Sequence, residues 1–297
     1  MSELSEKKEL SIVFGVTGNM AFALGNVLIG LKKHNPGLKA DILVFEQGIT
    51  EKDKNLLNTI LTCKFIEYKF PHQGYLTDET LKKFSELTFS RFECFELLSE
   101  YKKVLWLDID ILIKRGISGI FEQQSKGISL SIGDVNSTDF NIEMEGLNTG
   151  DIKYNAGVMF LQDNLPAFEE LKTWCYEKTL ELAPYLKSAD QGIINLMIKE
   201  KKLTVHLIDI EYNFNPVFNQ NGDTREGIIL HTFCPEKFWN YWNNKEWNEN
   251  NNKWISMGGT PYKGKEIGRF YINLKDFPNP IKRPGGFVKY LRYKLKL

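Results

Sequence analysis

The chain has no excess of charge of either sign, no paired cysteines and no long apolar run. Lys and Arg together number 38, as do Asp and Glu, so no overall field favours binding to nucleic acid. The four cysteines are scattered without a C-x-x-C pair, which argues against a zinc ribbon or a disulfide framework. The first residues, MSELSEKKEL, are polar and predict no secretory signal. These absences favour a globular protein of a reducing compartment, and we expect it in the cytoplasm.

The 297 residues are 42% hydrophobic and 26% charged, which is enough to bury a full core. In the N-terminal third, apolar runs of strand length alternate with segments whose apolar residues recur at helical spacing. Strands are predicted at 10–16, 41–45, 64–68 and 104–107, and helices at 21–33, at 51–61 after the N-cap Thr50, and at 81–98. This alternation predicts βαβ units and a mostly parallel sheet, on which ligands bind at the carboxyl ends of the strands.

The second half of the sequence is less regular. Strands are predicted at 128–132, 154–161, 203–208 and 227–230, and helices at 166–182 and 190–199. In the Asn- and Trp-rich segment 238–254, we expect most of the tryptophans to pack this region, and stacking on sugar rings is the alternative. We assign residues 1–257 to one domain and residues 258–297 to a C-terminal extension.

The sharpest chemical feature is Asp108-Ile109-Asp110, which lies within the apolar run 104–113. If a strand continues through it, alternation places both carboxylates on one face with Ile109 opposite. Two adjacent carboxylates repel and are costly to bury unpaired, so a cation is expected between them. Mn²⁺ or Mg²⁺ suits oxygen ligands and can clamp a diphosphate. The structural alternative is a strand that ends at Leu107 and leaves both side chains in solvent.

His231 closes the apolar run 227–231 and offers a neutral imidazole as a third metal ligand. Lys237 follows and can neutralise a phosphate. A lone His at the end of a strand is more often structural, and spacing alone favours that explanation. Asn155, in Tyr154-Asn-Ala-Gly157, precedes an apolar strand, where the glycine either permits close approach of a ligand or simply forms a turn.

Asp190 and Gln191 open a predicted helix. Asp190 is either an ordinary N-cap or, with Gln191, part of a polar pair that faces a sugar. Arg91 lies in Thr88-Phe-Ser-Arg-Phe92 and is either on a solvated helix face or a donor to a pyrophosphate or a sugar hydroxyl.

In their order and separations, these five features resemble the family-eight retaining glycosyltransferases, which include bacterial lipooligosaccharide galactosyltransferases and glycogenin. The resemblance covers about residues 10–239. It implies a GT-A-like α/β fold: a single Rossmann-like nucleotide-sugar-binding domain with a mixed, mostly parallel sheet and a C-terminal helical extension. It also implies a metal-dependent retaining hexosyltransferase. Such an enzyme moves galactose or glucose from a UDP-sugar to an oligosaccharide or lipid-linked acceptor, in the synthesis of bacterial lipopolysaccharide or another cell-surface polysaccharide.

The resemblance assigns roles to individual residues. Asp108, Asp110 and His231 match the protein ligands of Mn²⁺ (or Mg²⁺). Asp190 and Gln191 match a pair that faces the donor sugar and are the implied catalytic residues. The implied donor-binding residues are Val16, Asn19, Arg91, Asp108, Ile109, Asp110, Asp134, Asn155, Ala156 and Lys237. Among them, Asp134 matches an Asp on a strand beside the sugars, and Lys237 matches a Lys that contacts the phosphates.

Two segments depart from the family pattern. Thr17-Gly18-Asn19-Met20 lacks the acidic pair that often contacts the uracil in this family. Near His231, Cys234 stands in place of the usual Gly and Phe238 in place of the usual Pro. None of these changes removes a metal ligand. Because Gln191 is a poor nucleophile, the expected mechanism is attack from the face of departure, with Gln191 and Asp190 positioning the donor.

Two other classes of function remain as alternatives. A sugar nucleotidyltransferase usually has a basic, Gly-rich loop after its first strand, and Gly15-Val-Thr-Gly-Asn19 lacks the basic residues. A non-catalytic sugar-nucleotide-binding protein does not need the intact metal ligands.

The C-terminal residues 282–297 carry six basic and no acidic side chains, interleaved with apolar ones. Because all the charges share one sign, we favour peripheral contact with the inner membrane face over a helix packed on the core.

Overall fold

The computed structural model describes residues 6–72, 76, 85–122, 127–215, 227–233, 236–241 and 244–265. Its strands are β1 (Lys8–Thr17), β2 (Asp41–Gln47), β3 (Cys63–Glu67), β4 (Tyr101–Leu107), β5 (Ile111–Ile113), β6 (Ile128–Ile132), β7 (Tyr154–Gln162), β8 (Val205–Leu207) and β9 (Ile229–His231). Its α-helices are α1 (Ala21–His34), α2 (Glu51–Ile60), α3 (Glu93–Leu97), α4 (Ser118–Glu122), α5 (Phe168–Leu182), α6 (Ala189–Glu200) and α7 (Lys245–Ser256). Short 3₁₀ segments occupy Gly18–Met20, Glu86–Phe92, Ala183–Tyr185 and Ile210–Asn213. No helix within these ranges has the length and apolar character needed to cross a membrane.

A seven-stranded sheet organises the described chain, with strand order β3-β2-β1-β4-β7-β6-β8. β1 pairs in parallel with β2 and β4, and β2 pairs in parallel with β3. β7 is antiparallel to both of its neighbours, β4 and β6, and β6 pairs in parallel with β8. The predicted α/β class with a mixed, mostly parallel sheet is therefore confirmed. Because β7 is reversed, its first residues lie at the edge of the sheet where β1 and β4 end.

Helices cover both faces of the sheet. Alternation along β1 sends Val13 to one face and Ile12 and Phe14 to the other. The first face packs against α3, α5 and α6, and the second against α1, α2 and α7. A strand buried on both faces has no solvent-exposed side, which explains why β4 appears in the sequence as a continuous apolar run.

A small ribbon formed by β5 and β9 continues from the end of β4. The two strands are antiparallel, and Ile111 is paired with His231. The backbone N–H of Thr232 then donates to the carbonyl oxygen of Asp110 at 3.0 Å. This pairing fixes His231 beside the Asp108-Ile109-Asp110 segment, although more than one hundred residues separate them in the sequence.

Most predicted elements are present. All eight predicted strands occur with ends shifted by up to three residues, and the helices predicted at 21–33, 51–61, 166–182 and 190–199 correspond to α1, α2, α5 and α6. The N-cap prediction for Thr50 is confirmed, since its side chain accepts from the backbone N–H of Asp53. The expected packing role of the tryptophans holds for Trp247 and Trp254, which are both buried. Trp242 and the basic residues 282–297 lie outside the described residues.

The continuous helix predicted at 81–98 is wrong in its described part. A 3₁₀ helix (Glu86–Phe92) precedes the short helix α3 instead. Phe89 and Phe92 are three residues apart within the 3₁₀ helix and are both fully buried. A 3₁₀ helix has three residues per turn and aligns side chains at this spacing, so packing of these aromatic rings favours the tighter helix.

Candidate active site

The candidate site is a cavity of about 700 Å³ at the edge of the sheet where β1 and β4 end. This is the edge at which open α/β sheets bind their ligands. The predicted site residues that line the cavity are Arg91, Asp108, Ile109, Asp110, Asp134, Asn155, Asp190, Gln191, His231 and Lys237. The fold therefore brings together side chains from β7, β9, the N-terminus of α6, the 3₁₀ segment before α3 and the junction of β4 with β5.

The expectation that Asp108 and Asp110 share one face of a continuous strand is wrong. β4 ends at Leu107 and β5 begins at Ile111, so the two aspartates lie in the connection between them. The structural alternative is correct about where the strand ends. Its expectation that both side chains are in solvent is wrong, because both carboxylates are only partly exposed and both are held by cationic side chains.

Arg91 is the first of these cationic side chains and is itself buried, at 6% exposure. Its Nη2 donates to Asp108 Oδ1 at 2.5 Å, and its Nη1 lies 2.6 Å from Asp190 Oδ2 in an ion pair. The second contact lacks the direction of a hydrogen bond, because Asp190 Oδ2 has no hydrogen-bond partner among the described residues. Trp106 supports the arrangement: its ring lies under the guanidinium, and its Nε1 donates to Asp108 Oδ1 at 2.8 Å. The solvated helix face considered for Arg91 is therefore not what the structure contains.

Asp110 is held by His231 and Lys237. His231 Nε2 lies 3.0 Å from Asp110 Oδ1 and 3.7 Å from Asp108 Oδ2, and Lys237 Nζ contacts Asp110 Oδ2. Lys237 Nζ also donates to the carbonyl oxygen of Thr232 at 2.5 Å. Burial disfavours ionisation of Asp110, but its contacts with His231 and Lys237 outweigh this effect and hold the pKa of this carboxyl well below its usual range.

Three atoms in this cluster fit a divalent metal ion. Asp108, Asp110 and His231 each offer one ligand atom, and these atoms all lie within 4.8 Å of one another. Atoms bound to one small cation at about 2.1 Å lie no more than about 4.2 Å apart, so a small adjustment suffices. His231 Nε2 is buried and has no hydrogen-bond partner in the described part of the chain, as expected of an atom that receives a metal. Two carboxylate oxygens and one imidazole nitrogen form a suitable donor set for Mn²⁺.

Asp190 and Gln191 begin α6 on the opposite side of the cavity. Burial raises the pKa of the Asp190 carboxyl to about 7, against the opposing effect of Arg91. No N-cap hydrogen bond is made by the side chain of Ser188, the residue before the helix. Gln191 Oε1 accepts from the backbone N–H of Ala156 at 3.4 Å, and its Nε2 donates to Asp139 Oδ1 at 3.4 Å. The amide of Gln191 is thus oriented from both ends.

Three predicted donor-binding residues do not line the cavity with their side chains. Val16 is fully buried on the other face of the sheet, whereas its neighbours Gly15 and Thr17 line the cavity. Asn19 is exposed and accepts from the hydroxyl of Thr17 at 2.7 Å.

Ala156, the third of these residues, is buried and faces Gln191 through its backbone N–H. The strand position expected for Asp134 is wrong: β6 ends at Ile132, and Asp134 caps the following turn by accepting from the N–H of Asn136.

The glycine of the Tyr154–Gly157 segment makes room for the protein rather than for a ligand. A Cβ atom at Gly157 would lie 2.1 Å from His231 Cε1 and 2.9 Å from Asp108 Oδ2. The backbone of β7 therefore approaches Asp108 and His231 so closely that a larger residue collides with them.

Trp106 and Asp139 also belong to the site, although neither was predicted from the sequence. Trp106 lies two residues before Asp108 at the end of β4, and the period of two along a strand was a usable signal. Asp139 is fully buried and accepts from Asn195 at 3.0 Å as well as from Gln191. It lies in the long connection between β6 and β7, where the sequence has no periodicity from which its position can be derived.

A family model described as Glycosyl transferase family 8 matches residues 11–243. No curated protein sequence matches the chain significantly. The fold is similar to the galactosyltransferase LgtC in complex with donor and acceptor sugar analogs, with 19% identity, a TM-score of 0.66, and coverage of 83% of this chain and 99% of that one. The glycosyltransferase GlyE of Streptococcus pneumoniae TIGR4 is similar at 19% identity and TM-score 0.59, over 88% of this chain and 66% of that one. The bifunctional glycosyltransferase WbbM is similar at 14% identity and TM-score 0.62, over 86% of this chain and 52% of that one.

Proposed function

The chain belongs to glycosyl transferase family 8 and is a retaining glycosyltransferase, and from this premise we propose that it moves a hexose, galactose or glucose, from a UDP-sugar to a glycan acceptor. We propose bacterial lipopolysaccharide or another cell-surface polysaccharide as the product. The family match spans all the residues assigned to the site. The similar galactosyltransferase was solved with donor and acceptor sugar analogs, which supports this class of substrates.

The observation that carries the proposal is the convergence of three ligand atoms at the wall of the cavity. Asp108 Oδ1 and Asp110 Oδ2 are engaged by Arg91 and Lys237. The second oxygen of each carboxylate, Asp108 Oδ2 and Asp110 Oδ1, lies near His231 Nε2 instead. We propose that these three atoms hold Mn²⁺ or Mg²⁺. When bound, such an ion supplies the positive charge that stabilises a departing diphosphate.

We propose that the protein also supplies a cation for the leaving group. Lys237 and Arg91 both line the cavity and both touch the metal-ligand carboxylates. We propose that Lys237 turns part of its hydrogen-bonding capacity from Asp110 to a phosphate oxygen, since an ammonium group has three donors. Arg91 stays with Asp108 and Asp190, because both contacts are short and the side chain is buried.

The sugar is proposed to lie between Asn155, Asp190 and Gln191. Asn155 Oδ1 already accepts from the N–H of Gly157, so its Nδ2 is the group that remains to donate to a sugar hydroxyl. Asp134, at the exposed rim of the same cavity, is proposed to contact the sugar from the other side.

We propose that the incoming hydroxyl attacks from the face that the diphosphate leaves. An amide is a poor nucleophile, and Gln191 is held by Ala156 and Asp139. The Asp190 carboxyl is held by Arg91. These two side chains therefore orient the donor and stabilise positive charge at the anomeric carbon. A glycosyl adduct trapped on Gln191 or Asp190 would contradict this mechanism.

The test of the proposed function is release of nucleotide from a panel of sugar nucleotides, with Mn²⁺ and with a chelator. We expect metal-dependent release from one UDP-sugar by the wild type. Asp110→Ala removes a metal ligand and should lower release by at least about a hundredfold.

Asp209→Ala is the matched control, because Asp209 is exposed and does not line the cavity. It should retain the wild-type rate. Release that persists with the chelator, or that Asp110→Ala leaves unchanged, would contradict metal-dependent transfer.

We also propose that residues 282–297 contact an anionic membrane and bring the site to a lipid-linked acceptor. The support is their composition, six basic and no acidic side chains. Full-length chain should sediment with vesicles containing phosphatidylglycerol, and replacing Lys289, Arg292, Lys294 and Lys296 with Gln should abolish this. Equal sedimentation of both chains would contradict the proposal.

We also propose a domain boundary, which the sequence suggested at residue 257, and the contacts of Thr260 and Tyr262 with the first domain favour placing it after Tyr262. Any truncation that tests it should retain the residues up to Tyr262. Trp254 Nε1 donates to the carbonyl oxygen of Thr260 at 2.9 Å, the backbone N–H of Thr260 donates to Asp53 Oδ1 at 3.1 Å, and the ring of Tyr262 packs on Phe22.

A further inference from the structure

Asn213 lies beside the proposed metal ligand His231, although nothing in the sequence pattern marked it. It ends the 3₁₀ segment Ile210–Asn213 and is buried, at 3% exposure. The backbone of the next residue, Phe214, is bonded to β9 on both sides: its N–H donates to Ile229, and its carbonyl oxygen accepts from His231. Backbone pairing with β9 therefore fixes the position of Asn213 next to the imidazole ring.

A chain of three hydrogen bonds links His231 to the backbone of β7. The N–H of Gly157 donates to Asn155 Oδ1 at 3.0 Å. Asn155 Oδ1 also accepts from Asn213 Nδ2 at 2.9 Å. Asn213 Oδ1 lies 2.7 Å from His231 Nδ1.

The donor and acceptor in each of these three hydrogen bonds follow from the one that involves the backbone N–H of Gly157. A backbone N–H can only donate, so the atom of Asn155 that it meets is the oxygen. The atom of Asn213 that meets this oxygen must then be its amide nitrogen, which leaves the amide oxygen of Asn213 facing His231. Because an amide oxygen can only accept, Nδ1 of His231 carries the proton. In the neutral ring, the lone pair is therefore on Nε2.

We infer that Asn213 is a positioning residue that fixes the tautomer and the orientation of His231 for metal binding. This inference rests on the proposed function. These hydrogen bonds leave Nε2 without a proton, and Nε2 lies 3.0 Å from Asp110 Oδ1 and 3.7 Å from Asp108 Oδ2. It is also the buried nitrogen that has no hydrogen-bond partner within the described ranges. Partners of this kind, bonded to the second nitrogen of a metal-binding histidine, orient the ring and raise its basicity.

The same chain connects the metal site with the sugar side of the cavity. Asn155, the middle member, lines the cavity, and its Oδ1 is occupied by Gly157 and Asn213. Asn213 thus orients two side chains at once, the imidazole of His231 and the amide of Asn155. It reaches neither a ligand nor the reacting atoms itself.

Two variants of Asn213 separate its effect on the orientation of His231 from its effect on packing. Asn213→Leu keeps the branched shape and the number of side-chain heavy atoms but removes both hydrogen bonds. Asn213→Asp keeps an acceptor for Nδ1 of His231 and removes the donor to Asn155. The probe is Mn²⁺ alone, and its free concentration is followed by electron paramagnetic resonance. We expect Asn213→Leu to weaken Mn²⁺ binding by about 10- to 100-fold and Asn213→Asp by much less.

Asn250→Leu is the matched control. Asn250 is a buried asparagine on α7 and does not line the cavity. It should leave Mn²⁺ affinity unchanged. Equal Mn²⁺ affinity of wild type and folded Asn213→Leu would overturn the inference, as would equal loss in Asn213→Leu and Asn250→Leu.

Nitrogen NMR of the ¹⁵N-histidine-labelled protein reports which nitrogen of His231 carries the proton. This result tests the inference separately from the proposed function. With Mg²⁺ and UDP bound, or with the ring neutral in their absence, the proton of His231 should be on Nδ1. A proton on Nε2 would overturn the inference whatever the metal does. If the proton is on Nδ1 but the protein binds no Mn²⁺, the series of hydrogen bonds is supported. The proposal that this site binds a metal ion is then contradicted.

Discussion

Each carboxylate of the Asp108–Asp110 pair uses its two oxygens differently. One oxygen of each meets a protein cation, Arg91 for Asp108 and Lys237 for Asp110. The other lies near His231 Nε2. The cations reduce the repulsion between the carboxylates and fix their rotation, so the remaining oxygens stay directed at one point. This arrangement places two like charges side by side without leaving either of them buried and unpaired.

Gly157→Ala tests how tightly the backbone of β7 packs against the proposed metal ligands. The added Cβ would lie 2.1 Å from His231 Cε1 and 2.8 Å from its Nδ1, so the ring has to move. Overpacking of this kind costs about 1–3 kcal/mol in stability. We expect Mn²⁺ affinity, measured by titration calorimetry, to fall by about tenfold or more.

Gly37→Ala is the control for this substitution, because nothing lies within 4 Å of a Cβ at that exposed turn. It should bind Mn²⁺ as the wild type does. If Gly157→Ala retained the affinity of Gly37→Ala, the close packing of β7 on His231 would not matter for the site.

Strands were predictable because each is a short apolar run between turn residues. β1, β2, β4 and β7 all lie within three residues of their predicted ends. The paired aspartates were also predictable as a cluster in need of a cation. Their location between β4 and β5 was not, because apolar residues flank the Asp108-Ile109-Asp110 segment on both sides and do not mark where a strand ends. Only the pairing of Ile111 with His231 in a separate ribbon shows where one strand ends and the next begins.

The 3₁₀ segment shows a second limit of local patterns. Residues 86–98 contain apolar side chains at spacings of three and four, which fit an α-helix and a 3₁₀ helix alike. The choice depends on how Phe89, Phe92 and Phe95 pack in the core, and this is a tertiary effect. The tighter helix also carries Arg91 into the cavity rather than into solvent.

Asp41 joins the starts of three neighbouring strands, and its contribution to stability should depend on pH. Asp41 Oδ2, at the start of β2, accepts from Lys8 Nζ on β1 at 2.6 Å and from the hydroxyl of Tyr101 on β4 at 2.8 Å. These hydrogen bonds, that from Lys8 first and then that from Tyr101, hold the pKa of Asp41 below its usual value. The folded state therefore prefers the ionised form.

The resulting stability is fully present above the pKa of Asp in the unfolded chain, about 3.9, and is lost as pH falls through the lower folded value. Since the Asp41 side chain is 44% exposed, we expect Asp41→Asn to lower the free energy of unfolding by only about 0.5–1 kcal/mol at pH 7. Urea unfolding should show this difference at pH 7 and 5, and the difference should shrink progressively as the pH is lowered below about 3.9. Asp209→Asn, at an exposed position, is the control and should show little difference at any pH. A constant deficit of Asp41→Asn over the whole range would contradict the assignment.

The site joins parts of the chain that are distant in sequence and lie on both sides of the sheet. Arg91 and α6 belong to elements that pack on one face, whereas β5 and β9 pack on the other. Asp108 and Asp110 lie between these layers, at the end of the central strand β4. A ligand that binds all of these groups links the two layers, so binding and global stability should be coupled.

Mn²⁺ together with UDP should therefore raise the midpoint of thermal unfolding. A ligand present at 100 times its Kd stabilises the folded state by about 2.7 kcal/mol, which for a chain of this size corresponds to a rise of about 5 °C. Scanning fluorimetry with Mn²⁺, with UDP and with both should show the largest rise for the pair, reversed by a chelator. Asp110→Asn should lose this rise because one proposed metal ligand loses its charge, whereas Asp209→Asn should keep it. An equal rise of the unfolding midpoint in Asp110→Asn would place the binding outside the Asp108–Asp110–His231 cluster. If the midpoint of the wild type did not rise at saturating Mn²⁺ and UDP, the proposal that this cluster binds a nucleotide diphosphate together with the metal would be contradicted.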